Sequence, residues 1–246
     1  MKQGNHYIGT SGWHYKHWLG RFYPTGISTK DQFLYYQSFF DTVEINNSFY
    51  RLPSLETFRK WSAETPEKFL FSVKASRFIT HMKKLTDPEP ALDLLLSRAS
   101  GLGEKLGALL FQLPPGWKIN PERFNAFIQA LPVDQRAVIE FRNSSWYSEN
   151  IYEMLRKRNC AFCIYELAGH QSPLVVTADF VYVRLHGPGD KYQGSYSNES
   201  LREWANKILQ WKQEGRDVYI YFDNDQEAFA AYNAITLKDM VNTRDQ

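Results

Sequence analysis

Eight short apolar segments, separated by stretches with helix or turn character, constrain the fold of this 246-residue chain more than any other feature. Strands that alternate with helices favour a parallel sheet, because parallel neighbours need a long crossover connection. Eight such units in about 250 residues are typical of an α/β fold, a single TIM-type (β/α)8 barrel, and this is the fold that we predict. The segments are 7–13, 42–51, 69–76, 106–114, 136–143, 160–167, 180–187 and 217–225.

An open, doubly wound sheet is the alternative to the barrel. The turn after the first segment, SGWHYKHW, lacks the glycine fingerprint of a dinucleotide-binding sheet, which favours the barrel. Two helices between the segments have clear boundary residues, with Ser54 as N-cap of 54–65 and Asn198 as N-cap of 198–214. Weaker helical patterns cover 86–100, 120–131, 146–158 and 226–242.

Composition supports one globular domain. Hydrophobic residues form 43% of the chain and charged residues 23%, so a packed core is expected. No Gly-, Ser- or Pro-rich stretch divides the sequence, and we predict a single domain over 1–246. The apolar runs are strand-sized and residues 1–6 lack a signal-like apolar stretch, which predicts a cytoplasmic protein without a membrane partner. A net charge of +2 is too small to indicate nucleic-acid binding by bulk electrostatics.

The two cysteines, Cys160 and Cys163, have the CxxC spacing of redox and zinc sites. They lie in an apolar segment of strand type, where residues three apart point to opposite faces. No second cysteine pair exists to complete a zinc site. We therefore predict buried, reduced thiols.

Polar residues cluster near the ends of the segments, where a barrel builds its active site. Because side chains alternate along a strand, Glu140 and Arg142 share one face, as do Arg184 and His186. A buried charge costs free energy unless an opposite charge or a ligand matches it. The polar residues at the segment ends therefore predict a ligand site. The alternative is that they form interior salt bridges that fill the barrel. The set comprises Glu44, Asn46, Lys74, Gln112, Glu140, Arg142, Arg184, His186 and Asp223.

Three cations in this set, Lys74, Arg142 and Arg184, indicate a small anionic ligand with a phosphate or carboxylate group. Glu44 or Glu140 is then the predicted general base, and His186 a general acid or base. These residues predict an enzyme, with hydrolysis, isomerisation and elimination all open. The sequence identifies no cofactor and no oligomeric state.

Aromatic residues crowd the loop after the first segment, beginning with Trp13. We predict Trp13 as a substrate-binding residue that stacks on a planar group, and a hydrophobic cap over the loops is the alternative. The glycine-containing loop 187–198 is consistent with a lid or a phosphate cradle.

Short motifs follow one another in order along the chain: IGTSGW at 8–13, TVEINNSFYRLP at 42–53, FSVKAS with ITH at 71–81, FQLPP at 111–115, EFRNSSW at 140–146, YVRLHG at 182–187 and YIYFDND at 219–225. Together these motifs resemble the YecE-like family, also called domain of unknown function 72, over nearly the full length. The resemblance implies a TIM-type barrel. Two positions depart from it, because the family commonly has His where this chain has Asn143, and Asn where it has Asp223.

Two other functional classes remain open from the sequence. A metal-dependent nucleic-acid enzyme of the barrel-endonuclease type would stack or wedge bases with Trp13, Trp18 and Tyr50 and hold metal with a carboxylate and histidine cluster. Candidate ligands for that metal are Glu44, His81, Glu140, His186 and Asp223. A non-catalytic ligand-binding protein would bind tightly without turnover.

Overall fold

A computed structural model describes residues 3–245, and this range contains nine strands and seven α-helices. Every predicted apolar segment overlaps a strand. The strands are β1 (His6–Thr10), β2 (Thr42–Ile45), β3 (Leu70–Lys74), β4 (Leu106–Gln112), β5 (Ala137–Glu140), β6 (Ala161–Leu167), β7 (His170–Gln171), β8 (Phe180–Leu185) and β9 (Asp217–Phe222). The helices are α1 (Thr29–Gln37), α2 (Leu55–Ala63), α3 (Glu89–Ala99), α4 (Pro121–Ala130), α5 (Glu149–Lys157), α6 (Asn198–Gln213) and α7 (Phe229–Arg244).

Eight strands follow one another in the order β1-β9-β8-β6-β5-β4-β3-β2. Neighbours such as β1 and β9 pair in parallel, with Ile8 opposite Ile220. The short β7 pairs antiparallel with β6 and stands outside this order. An isolated parallel bridge between Ser11 and Glu44 joins the end of β1 to β2, so the two ends of the strand order meet. The predicted TIM-type (β/α)8 barrel is confirmed.

The chain divides into two compact units. Within the described residues, unit 1 comprises 3–44, 164–172 and 180–245, and unit 2 comprises 45–163 and 173–179. Each unit buries large aromatic side chains, among them Trp18 in unit 1 and Trp146 in unit 2. The single domain over 1–246 stays a prediction, and residues 1, 2 and 246 lie outside the described residues.

The long helix α6 of unit 1 matches its predicted range, but its predicted N-cap is wrong. Ser197 is the cap, with an extended backbone and a side chain that accepts a hydrogen bond from the Ser200 amide. Asn198 is already helical and cannot cap, because a cap residue needs non-helical torsion angles. Trp204 and Trp211 are buried on one face, as their spacing of seven residues predicts.

Helix α2 of unit 2 begins after Ser54, whose hydroxyl accepts from the Thr57 amide as predicted. Helices α3, α4 and α5 lie within the weaker predicted ranges, and α7 overlaps the range 226–242 but extends to Arg244. Helix α1 was not predicted, because its buried positions include Gln32 together with aromatic residues and so give no clean apolar stripe. None of the helices in residues 3–245 combines the length and apolar composition that a bilayer crossing requires.

Both cysteines are reduced and buried, as predicted. Burial raises the pKa of the Cys160 thiol to about 11, which keeps it protonated at neutral pH. Cys160 directly precedes β6, whereas Cys163 lies within it. The Cys163 Sγ is 3.9 Å from Oε2 of Glu140. The two thiols therefore have different neighbours, and this separation is the expected consequence of a three-residue spacing on a strand.

Candidate functional site

Three of the predicted site residues lie at the ends of β8 and β9 in unit 1. Arg184 lies in β8, His186 just beyond it, and Asp223 directly after β9. Arg184 is in register with Tyr221, and the Asp223 amide donates to the Leu185 carbonyl at 2.8 Å, which continues the parallel ladder. Because side chains alternate, Arg184 and His186 project on the same side. The ladder thus brings the guanidinium, the imidazole and the Asp223 carboxylate together.

The Arg184 guanidinium forms a buried ion pair with Glu44, and both residues are 0% exposed. Nη2 lies 2.7 Å from Oε1, and Nε lies 3.0 Å from Oε2, so the contact is bidentate. Ser11 Oγ donates to Oε1 at 2.5 Å, and the Tyr182 hydroxyl donates to Oε2 at 2.7 Å. Both oxygens of Glu44 are therefore occupied by donors, as a carboxylate without solvent requires.

His186 is held between a carboxylate and the same guanidinium. Its Nδ1 is 3.0 Å from Oδ2 of Asp223, which also accepts from Nη2 of Arg184 at 3.0 Å. Its Nε2 is 3.3 Å from Nη1 of Arg184. An ionised carboxylate only accepts and a guanidinium only donates, which assigns the proton of the neutral imidazole to Nδ1 and a lone pair to Nε2.

Aromatic side chains surround this imidazole. The rings of Tyr165 and Tyr192 contact it edge-on, with centroids at 6.3 and 5.5 Å. The loop after β8 turns back over His186, because the Tyr192 amide donates to the His186 carbonyl at 2.9 Å. Gly187 permits this turn, since it has φ +100° and a Cβ there would lie 2.1 Å from the Gln193 carbonyl oxygen.

Two tyrosines near the ion pairs remain protonated. Burial raises the pKa of Tyr182 well above its ordinary value, and the negative charge of Glu44 raises it further. Burial, followed by the charge of Asp223, does the same for the pKa of Tyr15, whose hydroxyl donates to the Ser11 carbonyl. The negative charges among these groups consequently reside on the carboxylates, and the tyrosines act as hydrogen-bond donors.

In unit 2, the predicted pair Glu140 and Arg142 forms an ion pair through Nε and Oε1. The Glu140 side chain is 0% exposed and the Arg142 side chain 7%. Gln112 lies opposite Glu140 in the register of β4 and β5. The direct contact between the two charges is what the salt-bridge alternative predicts, and it leaves a ligand role untested.

Lys74, also in unit 2, is buried at the end of β3 beside an aromatic ring. Its Nζ lies 4.6 Å from the ring centroid of Phe49, and its carbonyl accepts from the Ser48 hydroxyl at 2.6 Å. The Phe49 ring also contacts the His81 imidazole, with ring centroids 4.9 Å apart. Burial lowers the pKa of His81, and the charges of Lys74 and Arg77 lower it further. The positive charge of Lys74 thus disfavours protonation of the neighbouring imidazole.

The remaining predicted residues occupy the loops after β1 and β2. Asn46 is half-buried and directly precedes the helical turn 47–49. Trp13 is half-buried and stacks on Phe33 of α1, with ring centroids 4.5 Å apart. This contact includes Trp13 in the packing of the first loop, as the hydrophobic-cap alternative predicts, and its role as a substrate-binding residue stays a prediction.

Sequence reasoning missed two residues that contact Glu44. Tyr182 lies two positions before Arg184, so the alternation of β8 could have placed it on the same face. Ser11 directly follows β1, and no pattern in the sequence indicated its contact with β2. Within residues 3–245, no group of three or more His, Cys, Asp or Glu side chains is arranged to hold a metal ion.

Comparisons with known proteins agree with this architecture. The family described as "Protein of unknown function DUF72" matches residues 7–246. The chain is similar to UPF0759 protein YunF of Bacillus subtilis, at 27% identity over 96% of this chain and 94% of YunF. UPF0759 protein YecE of Escherichia coli K12 is 23% identical over 84% of this chain and 82% of YecE. A crystal structure of a DUF72 family protein from Thermotoga maritima matches with a TM-score of 0.88 and 27% identity, covering 97% of this chain and 99% of that protein.

Proposed function

The chain belongs to the DUF72 family, and from this premise we propose that it is an enzyme that binds a small anionic compound and transfers a proton through His186. The observation that carries the proposal is the buried chain of contacts from Asp223 to His186 to Arg184. Family membership supplies the barrel, and a barrel alone implies no reaction. The chemistry therefore rests on the side chains at the ends of β8 and β9.

The contact between Asp223 and His186 supports acid and base chemistry at Nε2. A carboxylate that accepts from Nδ1 orients the imidazole and stabilises its cationic form when Nε2 takes up a proton. Burial of both groups excludes water from the pair, since His186 is 0% exposed and Asp223 6%. An imidazole held in this way is suited to accept a proton from a substrate and to return it at another atom.

The neighbouring guanidinium supports an anionic substrate. Nη1 of Arg184 and Nε2 of His186 are 3.3 Å apart. When both carry protons, the two cations repel each other unless an acceptor lies beside them. A phosphate or carboxylate group supplies two oxygens with a similar spacing and accepts one bond from each donor. Binding of the anion and protonation of His186 therefore favour each other.

Glu44 has a different role in this proposal. Its two oxygens accept from Arg184, Ser11 and Tyr182, which keeps the guanidinium in a fixed position. We assign Glu44 as a positioning residue for Arg184, in place of the general base expected from the sequence. The proposed roles of Glu140 as a base and of Asn46, Lys74, Gln112 and Arg142 in substrate binding are tested by substituting each one.

Native mass spectrometry of freshly purified protein is the first test, paired with elemental analysis. We expect a phosphorylated or carboxylated metabolite to co-purify. That compound, with its close analogues, is then used to measure turnover by NMR. Replacing His186→Gln should lower turnover by about 10² to 10⁴, the usual contribution of a general acid or base.

His6→Gln is the matched control, because His6 lies at the start of β1, at the opposite end of the strand from Ser11. This variant should retain turnover at pH 8. Binding without turnover, unchanged by His186→Gln, would support the non-catalytic alternative and reject the proposal. Stoichiometric metal and activity only on nucleic acid would support the endonuclease-type alternative.

A further inference from the structure

The loops that follow the strands of unit 2 carry an excess of positive charge. Between each strand and the next helix, these loops contain six basic residues and one acidic residue, Asp87. The segments at the opposite ends of the same helices contain four basic and four acidic residues. The first set of loops is 46–54, 75–88, 113–120 and 141–148, and the second set is 64–69, 100–105, 131–136 and 158–160. The small net charge of the chain therefore conceals a local basic region.

Hydrogen bonds and ring contacts join these four loops in pairs. The ring contact between Phe49 and His81 links the first loop to the second. Trp146 Nε1 donates to the Trp117 carbonyl at 2.8 Å, which links the third loop to the fourth. The two pairs are adjacent because β3 and β4 are neighbours in the sheet. We call this combined region the basic loop surface.

Five of its six basic side chains are exposed. None of these five forms an ion pair with another residue in the described range 3–245. The sixth, Arg142, pairs with Glu140. The exposed five are Arg51, Arg77, Lys83, Lys84 and Lys118. Charges that are neither buried nor neutralised remain available to an external partner.

Aromatic rings are exposed among these cations. Tyr50 is 74% exposed and Phe78 is 44% exposed. Lys83 lies 6.0 Å from the ring centroid of Phe78, and Arg51 is the next residue after Tyr50. Rings placed beside flexible cations are the combination that binds unpaired bases and their phosphates.

The backbone between Arg77 and Asp87 is unusual in two respects. Phe78–Met82 form a π-helical turn, a conformation that is rare and often found at functional sites. Lys84, Leu85 and Asp87 all have positive φ, between 43° and 65°. For residues other than glycine, this conformation is strained and persists only where the surroundings impose it. The strain supports a binding role for this loop.

We propose that the basic loop surface binds single-stranded nucleic acid. Five cations distributed over three loops suit a chain of phosphates better than one small anion. Exposed Tyr50 and Phe78 offer stacking faces to unpaired bases, which a duplex would keep inside its own stack. A membrane is less suited as the partner, because the π-helical turn has five residues and is too short for an amphipathic helix. This binding role is additional to the proton transfer proposed for His186.

Fluorescence anisotropy with a labelled 12-nucleotide single strand of mixed sequence tests the proposal. The test variant combines Arg51→Ala, Lys83→Ala and Lys84→Ala. Its control combines Arg59→Ala, Lys68→Ala and Lys157→Ala, which removes the same charge from exposed positions outside the basic loop surface. Loss of three phosphate contacts should reduce the salt slope by about 2 and weaken binding about 100-fold at 0.1 M salt. The control should bind like the unmodified protein.

A second variant, Tyr50→Ala with Phe78→Ala, separates stacking from charge. We expect at least about tenfold weaker binding with an unchanged salt slope. Equal binding by the charge variant and its control would overturn the proposal. So would tighter binding of the matching duplex, or binding of phosphatidylserine vesicles without binding of the oligonucleotide. Circular dichroism confirms folding of each variant before titration.

Discussion

Replacement of Arg184→Met tests whether the buried network depends on its central cation. Arg184 is 0% exposed and donates to Glu44, Asp223 and Ser11. Methionine fills similar space but leaves two carboxylates without their shared cation. Removing one partner of a buried ion pair typically costs about 3–5 kcal/mol. For a chain of this size, 1 kcal/mol corresponds to about 2–4 °C, so the melting temperature should fall by about 6–20 °C.

Urea unfolding at pH 7, followed by tryptophan fluorescence, measures this loss. The matched variants are Glu44→Gln alone and Glu44→Gln combined with Arg184→Met. The combined variant removes one of the two carboxylate charges that Arg184→Met leaves without its cation, and Asp223 keeps its contact with His186. We therefore expect it to recover about 1–3 kcal/mol relative to the sum of the single changes. A loss below about 1 kcal/mol for Arg184→Met, or strict additivity, would refute the reasoning.

Three further predictions concern other parts of the chain. Gly187→Ala should cost about 1–3 kcal/mol in urea unfolding, whereas Gly189→Ala should cost little, because only the first position combines positive φ with a close carbonyl. Because burial raises the pKa of Cys160 to about 11, Cys163→Ala protein should react with a disulfide reagent at pH 8 only after unfolding. Burial lowers the pKa of His6 below 6.5 in the folded protein, and the charge of Lys212 lowers it further. The neutral imidazole therefore contributes stability at pH values above 6.5, and this contribution is lost as the pH falls through the pKa of the folded state. Thermal unfolding from pH 8 to 5 should therefore show a shallower acid-side decline for His6→Gln.

Much of the fold was predictable from periodicity. The eight apolar segments each overlap a strand, and the helices α2 and α6 lie within their predicted ranges. These signals are local, because strand and helix periods repeat within a few residues. Helix α1 was missed for the same reason, since Gln32 occupies a buried position that only tertiary packing explains.

The residue types of the candidate site were also predictable, but their partners were not. Alternation predicted correctly that Arg184 and His186 share a face and that Glu140 lies beside Arg142. It did not predict that Arg184 contacts Glu44, which is 140 residues away in the chain. That pairing depends on the bridge that brings the end of β1 to β2 and on the positions of Ser11 and Tyr182.

The sequence by itself determined the barrel, the burial of Cys160 and Cys163, and the polar character of the strand ends. The tertiary structure decided which charges are neutralised and which remain exposed. Glu44 forms an ion pair with Arg184, and Nδ1 of His186 contacts the Asp223 carboxylate. The physical reason is that burial and pairing depend on distances between residues far apart in the chain, whereas periodicity records only the faces on which they lie.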